Sequence, residues 1–293
     1  MKRIGRFFFC LLPLALTIIL QNLVAIPVCG IAVIAIVLDH NRAGIRISLD
    51  ELIHQLLSLL STGPFIILLS MTYAIAALVI FAFWYRKKLA PTQERVPVRS
   101  AFNPWIVMSL LLLSFGLQYV ITYLMNFIGI LRPDWMQSYT DLIETAGIGT
   151  SSPLTLFYAI LIAPISEELI FRGVTYGYAK RSLPAAGAIC LQAVLFGVFH
   201  LNMIQGIYAA FLGLFIGYLC EAGGSLAIPI LFHAFFNLLG SFANASMYYH
   251  MEQPFFFLLW LTVGVLLTYA GIFMFQHGIA IRDLHPADKS CEE

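Results

Sequence analysis

The sequence predicts an all-α membrane protein: a polytopic bundle of about eight transmembrane helices with one interfacial amphipathic helix. Its 293 residues are 60% hydrophobic and 11% charged, and the mean hydropathy is +0.89. Soluble domains carry about 25% charged residues, so this composition indicates a membrane protein rather than a large soluble core. The net charge of +1 gives no reason to expect a nucleic acid as a partner.

Eight apolar segments approach the length of a membrane crossing, since a helix through about 30 Å of hydrocarbon needs roughly 20 residues. They cover approximately residues 10–38, 64–85, 104–129, 153–175, 184–201, 204–221, 225–243 and 254–275. The first follows Lys2, Arg3 and Arg6, as a signal peptide would, but it continues without a small-residue cleavage site. We therefore expect it to be retained. Residues 1–275 form one predicted transmembrane domain, and residues 276–293 a cytoplasmic tail.

The distribution of positive charge predicts the orientation of the bundle, because cytoplasmic segments carry an excess of Lys and Arg. With the N-terminus inside, the inner segments hold Lys2, Arg3, Arg6, Arg86, Lys87, Lys88, Arg95, Arg99, Lys180, Arg181, Arg282 and Lys289. The outer loops hold Arg42, Arg46 and Arg132. This bias predicts that both termini face the cytoplasm.

One helical stripe between the first two spans is too polar to cross the membrane. From Ser48 to Ser61, apolar residues recur at i, i+3, i+4 and i+7. Ser48 and Glu51 form a capping box at its start. We interpret this stretch as an amphipathic helix that lies in the interface. A connector helix packed on the bundle is an equal alternative, and a substrate gate is a third.

Charged residues interrupt the fourth span. Glu167, Glu168 and Arg172 follow the apolar run from Leu154 to Ile165, although a charge at the bilayer centre costs roughly 2.5–3.5 kcal/mol. Glu168 and Arg172 are four residues apart, so they share one helix face and can pair. Glu167 points about 100° away and is left for a partner on another helix. We expect Glu168 and Arg172 to be structural and Glu167 reactive; the alternative is one ion network without chemistry.

Two later spans add further polar groups. His200 ends the fifth span, and His233 and Asn237 lie four residues apart on one face of the seventh. Such a pair alone often serves as a hydrogen-bonding contact between helices. Together with Glu167, however, these residues supply what peptide hydrolysis needs. A carboxylate and a histidine can activate a water, and a histidine and an asparagine can donate hydrogen bonds to an oxyanion. The spans nevertheless place His200 near the outer end of its helix and Glu167 near the middle of its own.

These motifs closely resemble the CPBP family, which contains the type II CAAX prenyl endopeptidases and the bacteriocin-processing and immunity proteins, also called the Abi family. The resemblance rests on Glu167-Glu168-x-x-x-Arg172, Phe196-x-x-x-His200 and His233-x-x-x-Asn237, in this order. The flanking residues that agree are Ala163-Pro164, Phe171-Arg172-Gly173 and Pro229. The resemblance covers roughly Leu154 to Asn237, which places a protease-like core at about residues 153–243.

The resemblance implies an intramembrane endopeptidase that hydrolyses a peptide bond of a membrane-associated protein or peptide. Glu167 matches the catalytic glutamate, which with His200 would activate the water. His233 and Asn237 match the pair that would hold the oxyanion, and Glu168 and Arg172 match supporting positions. We expect an integral protein of the bacterial cytoplasmic membrane whose partners are the lipid bilayer and its substrate. That substrate is a prenylated C-terminus, a leader peptide, a bacteriocin or a signalling peptide.

The sequence leaves the participation of a metal open. Glu167, His200 and His233 could supply a Glu-His-His set with a fourth position for water, as in catalytic zinc sites. The sequence has no His-Glu-x-x-His motif, and the spacing fits a metal-free glutamate mechanism equally well. We lean towards the metal-free mechanism, so the cofactor is either none or one divalent metal such as zinc.

Two other classes of function also place charged groups inside a membrane. Glu, His and Arg in a bilayer are the materials of proton relays, so a proton-coupled transporter is one alternative. Inverted repeats would favour it, and the sequence shows none. A non-catalytic scaffold or immunity protein of the same fold is the other alternative. The intact set of Glu167, His200, His233 and Asn237 argues against lost catalysis.

Overall fold

A computed structural model of the protein describes residues 8–145, 152–242 and 253–284. Within these ranges the regular structure is helical. The basic residues that precede the first span and the tail from residue 285 lie outside the described residues. The helices longer than ten residues in the described ranges are α1 Leu12–Arg42, α2 Leu49–Leu60, α3 Gly63–Lys88, α4 Pro104–Leu131, α5 Pro133–Thr145, α6 Pro153–Ala179, α7 Ala185–Phe199, α8 Met203–Gly223, α9 Ala227–Phe242 and α10 Pro254–Leu284.

Among the described helices, six are long and apolar enough to cross a membrane: α1, α3, α4, α6, α8 and α10. The predicted all-α membrane fold is confirmed, but the count of eight spans is not. Helix α7 has 15 residues, which at 1.5 Å per residue reach about 22 Å, less than the roughly 30 Å of hydrocarbon. The described part of α9 has 16 residues and ends where that described range ends. The described ranges therefore contain six candidate spans and two shorter apolar helices.

The short length of α7 brings His200 to the level of the glutamates. Helices α6 and α7 form an antiparallel hairpin, and the ring of Phe171 on α6 contacts two rings near the end of α7. Its centroid lies 5.1 Å from that of Phe196 and 5.4 Å from that of Phe199. Because α7 ends beside the middle of α6, His200 lies at mid-helix depth and not at the outer end that the sequence suggested.

Helices α7 and α8 approach each other at backbone distance because glycines face across their contact. A Cβ atom built on Gly197 would overlap the carbonyl oxygen of Gly206, and one on Gly213 would lie 3.0 Å from the Cα atom of Ala193. Gly213 and Gly217 belong to a small-residue ladder in the sequence of α8, a pattern that predicts close packing of membrane helices. The structure confirms that packing and places the Gly213 carbonyl within reach of the candidate site.

Helix α2 agrees with the predicted amphipathic segment. The Ser48 side chain accepts a hydrogen bond from the Glu51 amide at 3.2 Å, as expected for the start of a capped helix. No residue of α2 is buried, and Leu49, Ile53 and Leu57 expose much of their apolar surface. An apolar stripe that the bundle leaves uncovered suits a helix in the membrane interface.

Helix α5 was not predicted from the sequence. Pro133 occupies its first position, where the missing N–H has no cost. Met136, Tyr139 and Ile143 follow at helical spacing. These signals were present, but the helix is too polar for a span and lay outside the segments that hydropathy selects. It packs against α4 and α8.

Helix α10 continues to Leu284, past the predicted boundary between the domain and the tail at residue 275. Polar residues near that boundary have partners inside the bundle: Gln276 donates to the Tyr218 hydroxyl at 3.0 Å, and the His277 ring contacts Trp105. Arg282 also donates to the carbonyl of Gly223, at 2.8 Å. The polar residues after 275 suggested that the helix ends there. The helix continues because several of these side chains contact neighbouring helices.

We predict that Gly197→Ala strongly destabilises the protein, because the new methyl group would overlap the backbone of Gly206 and separate α7 from α8. Overpacking of a tight contact costs typically 1–3 kcal/mol. Thermal denaturation in detergent measures the effect. Gly187→Ala is the matched control on the same helix, since its Cβ would meet neighbours at 3.6 Å or more. Equal melting temperatures for the two variants would contradict the assigned packing.

Candidate active site

Two π-helical stretches interrupt α6 on either side of the adjacent glutamates: Tyr158–Ile162 and Leu169–Thr175. π-Turns are rare and occur frequently at functional sites, where they change the direction of side chains. The first stretch, together with Pro164, leaves one backbone carbonyl without a donor. The amide of Ala163 donates to the carbonyl of Tyr158 in the π register. The next residue, Pro164, has no N–H to donate to the carbonyl of Ala159.

Asn237 supplies the missing donor. Its Nδ2 atom donates to the carbonyl oxygen of Ala159 at 2.8 Å, across the contact between α9 and α6. This bond fastens α9 to the π-helical part of α6. An amide nitrogen carries two hydrogens, so a second N–H of Asn237 stays available, and the side chain lines a cavity described below. The predicted oxyanion residue therefore also has a structural bond.

A buried ion network lies at the centre of the bundle. Arg172 donates from Nη1 to Oε1 of Glu168 at 3.0 Å, which confirms the predicted pair. The same oxygen lies 2.7 Å from Nδ1 of His233. A carboxylate only accepts hydrogen bonds, so Nδ1 of His233 carries a proton. The side chains of Glu168 and Arg172 are fully buried and that of His233 is 5% exposed. The sequence predicted only the pair of Glu168 and Arg172, and the structure adds His233 to it.

Glu167 lies at the edge of this network. Its Oε2 atom is 3.8 Å from Nε2 of His233, and its side chain keeps 13% of its surface exposed. Three tyrosines, Tyr73, Tyr158 and Tyr208, lie within electrostatic range of its carboxylate. The predicted difference between the two glutamates agrees with this geometry. Glu168 is neutralised inside the protein, while Glu167 faces His233 across a gap longer than a hydrogen bond.

The guanidinium of Arg172 also contacts α7 and α8. It stacks on the ring of Phe196 at 4.5 Å, a cation–π contact. Its Nη2 atom lies 3.4 Å from the carbonyl oxygen of Gly213, which also accepts from Gln192 at 2.9 Å. Gln192 was not among the residues predicted from the sequence. A signal existed, because Gln192, Phe196 and His200 are spaced four residues apart and share one face of α7.

His200 follows the last residue of α7, where the backbone reverses towards α8. Its ring contacts Phe196 and Phe199, with centroids 5.0 and 5.4 Å apart. In the described part of the chain, the ion-pair partner of Glu167 is His233 and not His200. The next residue, Leu201, has φ of +55°, a left-handed conformation that costs a non-glycine residue of order 1–3 kcal/mol. His200 is therefore held at the site by a strained turn.

The residues do not fit the possible metal site of Glu167, His200 and His233. Within the described ranges, no group of three His, Cys, Asp or Glu side chains is arranged to hold a metal ion. Of the proposed ligands, His233 uses Nδ1 for Glu168, and His200 packs against phenylalanine rings. The set of Glu167, His200 and His233 is thus not assembled as a three-ligand centre in this structure.

Comparison with known proteins identifies the segment that carries the site. Residues 149–239 match the family model described as type II CAAX prenyl endopeptidase Rce1-like. This segment is Rce1-like. The CPBP resemblance is thereby confirmed for the part of the chain that contains α6 to α9 and the six predicted site residues. No curated protein and no solved structure shows a significant match to the chain. With its six candidate spans in the described ranges, the protein is an integral membrane protein, and residues 149–239 are similar to this family.

We predict that Arg172→Met destabilises the protein by about 3–5 kcal/mol, the usual cost of leaving one partner of a buried ion pair alone. The double variant Glu168→Gln/Arg172→Met should be more stable than Arg172→Met, because the uncompensated carboxylate is removed. Thermal denaturation in detergent measures both.

The matched control for this prediction is Arg132→Met. Arg132 also contacts a carboxylate, that of Asp134 at 2.6 Å, but both side chains are exposed. Exposed pairs contribute little, so this variant should melt close to the parent. If Arg172→Met melted with Arg132→Met, the buried network would not have the assigned role.

Proposed function

We propose that the protein is an intramembrane endopeptidase that hydrolyses a peptide bond of a membrane-associated protein or peptide. The observation that carries this proposal is the difference between the adjacent carboxylates. Glu168 is neutralised by Arg172 and accepts a hydrogen bond from His233, whereas the partly exposed side chain of Glu167 places Oε2 3.8 Å from the other nitrogen of the same imidazole. This arrangement lies in the segment that matches the Rce1-like family.

Glu167 is the proposed general base. Its carboxylate takes a proton from a water, and the resulting hydroxide attacks the carbonyl carbon of the scissile bond. The tetrahedral intermediate collapses when the C–N bond breaks, and Glu167 returns the proton to the leaving nitrogen. His200 is the proposed second partner of the water, since α7 ends beside the middle of α6. A water is consumed, and one carboxylate and one amine are formed.

His233 and Asn237 are the proposed donors to the oxyanion. Asn237 keeps its bond to the Ala159 carbonyl and donates with its second N–H. His233 would donate from Nε2 in its imidazolium form, while Nδ1 stays hydrogen-bonded to Glu168. Donors of this kind typically contribute about 100–1000-fold to kcat. The bond to Glu168 fixes the orientation of the imidazole, as the carboxylate partner of a catalytic histidine does.

We also propose that the protein lies in the bacterial cytoplasmic membrane, and that both termini face the cytoplasm, as the charge distribution predicted. The proposed partners are the lipid bilayer and a membrane-associated substrate, with no nucleic acid. Of the two cofactor states that the sequence left open, none or one divalent metal such as zinc, we propose the metal-free one, because Glu167, His200 and His233 are not assembled as a three-ligand set within the described residues.

We predict that Glu167→Gln abolishes cleavage and leaves the fold intact, because an amide cannot take the proton from water. The loss of a general base lowers the rate by about 100–10,000-fold. His200→Ala should also abolish cleavage. Quantitative proteomics of new peptide termini in membranes that contain the parent or each variant measures the effect and identifies the substrate.

The matched control for Glu167→Gln is Glu51→Gln, on the exposed face of α2, which should cleave like the parent. Thermal denaturation shows whether each variant is folded. A folded Glu167→Gln variant that produced the parental set of termini would overturn the assignment of an endopeptidase centred on Glu167.

A further inference from the structure

A cavity of about 440 Å³ lies next to the candidate site, between α4, α5, α8 and α9. Its volume is in the range of sites that bind small ligands. Asn237 lines it, together with Ala159, the backbone partner of the Asn237 amide. Tyr208 also lines it and lies within electrostatic range of Glu167. The cavity therefore reaches the proposed oxyanion residue, Asn237.

The position of the cavity defines the end of the bundle from which the site is reached. Its walls come from the last turns of α4, the first turns of α8 and the last turns of α9. The opposite end of α8 carries the ion pair between Glu221 and Lys180, at 2.7 Å. The cavity thus opens towards the end where α5 lies, away from the end that carries most basic residues.

Helix α5 covers this cavity. Met136, Tyr139 and Ile143 of α5 form one wall. The ring of Tyr139 contacts that of Tyr208 edge-on, with centroids 6.1 Å apart. No residue of α5 is buried, so one side of this helix lines the cavity and another faces away from the bundle.

The chemistry of the lining restricts what can occupy the cavity. Among the described residues, the lining side chains combine amides and hydroxyls with apolar groups, and none of these is a Lys, Arg, His, Asp or Glu. Gln118 donates from Nε2 to the carbonyl of Phe236 at 3.0 Å, and an amide oxygen such as that of Gln118 or Gln205 can accept from the N–H of a peptide backbone. A charged side chain placed there would lose its hydration without a compensating partner.

We infer that this cavity receives the part of the substrate next to the scissile bond, as an extended stretch of polypeptide without charged side chains, from the α5 end of the bundle. This inference rests on the proposed function and adds the substrate class and the direction of entry to it. Helix α5 closes over the bound stretch.

The first test measures access to the cavity and does not depend on catalysis. Thr122, which lines the cavity, is changed to Cys, and a membrane-impermeant maleimide is added to either side of oriented vesicles. Mass spectrometry of the peptide that contains residue 122 measures labelling. Asp134→Cys reports the α5 side, and Arg99→Cys reports the opposite side.

Labelling of Thr122→Cys from the same side as Asp134→Cys is the expected result. Labelling from the side of Arg99→Cys, or no labelling from either side, overturns the inference.

The second test measures the rate at which the substrate is cleaved. That substrate is the one identified by comparing membranes that contain the parent with membranes that contain Glu167→Gln. Thr122→Trp fills the cavity and should lower the rate of cleavage at least tenfold. Phe127→Trp is the matched control on the same helix, since Phe127 is exposed on the surface of the bundle, and it should cleave like the parent. Substituting Asp beside the scissile bond of the substrate should reduce cleavage as strongly as Thr122→Trp does.

The third test immobilises α5. A Cβ on Gly129 would lie 3.5 Å from the Cβ of Met136, a separation that a disulfide spans. Oxidised Gly129→Cys/Met136→Cys should cleave at least tenfold more slowly than its reduced form, and the single variants should ignore the oxidant. If Glu167→Gln is inactive but Thr122→Trp and the oxidised double variant cleave normally, the inference fails and the proposed function stands.

Discussion

The structure depends on the neutralisation of one buried carboxylate, that of Glu168. A charge at this depth is tolerated only with a partner, and Oε1 of Glu168 has two, Arg172 and His233. The guanidinium of Arg172 in turn donates to the carbonyl of Gly213 on α8 and stacks on the ring of Phe196 on α7. The close packing of these helices is thus part of the same requirement. The network fixes the orientation of the His233 ring. The other nitrogen of that ring faces Glu167, the adjacent carboxylate that does not pair with Arg172.

A second constraint acts through the backbone of α6. Pro164 cannot donate a hydrogen bond, and the π register before it leaves the carbonyl of Ala159 without an intrahelical partner. In an apolar interior an unsatisfied carbonyl is costly, so Asn237 is drawn to it from α9. This bond therefore joins α9, which carries His233, to the part of α6 that precedes Glu167.

The sequence predicted the features that depend on spacing within one helix and missed those that depend on the register between helices. The pair of Glu168 and Arg172 follows from their i, i+4 spacing alone, and the structure confirms it. The bond between His233 and Glu168 joins α9 to α6, and no local pattern encodes it. The reversal after His200 was also missed, because Leu201 adopts a left-handed conformation without the glycine that usually signals one. Counting apolar residues therefore extended α7 to a full span.

The early end of α7 places irregular backbone and polar groups inside the bundle. Irregular backbone at membrane depth persists only where protein buries it or where it lines a water-filled cavity. The reversal between α7 and α8 places such backbone beside the middle of α6, and the Asn202 side chain, which accepts from the Gln205 amide at 3.1 Å, satisfies part of it. Full-length helices would have filled this depth with apolar side chains. By ending early, α7 leaves polar groups at the level of Glu167, where a water can be held.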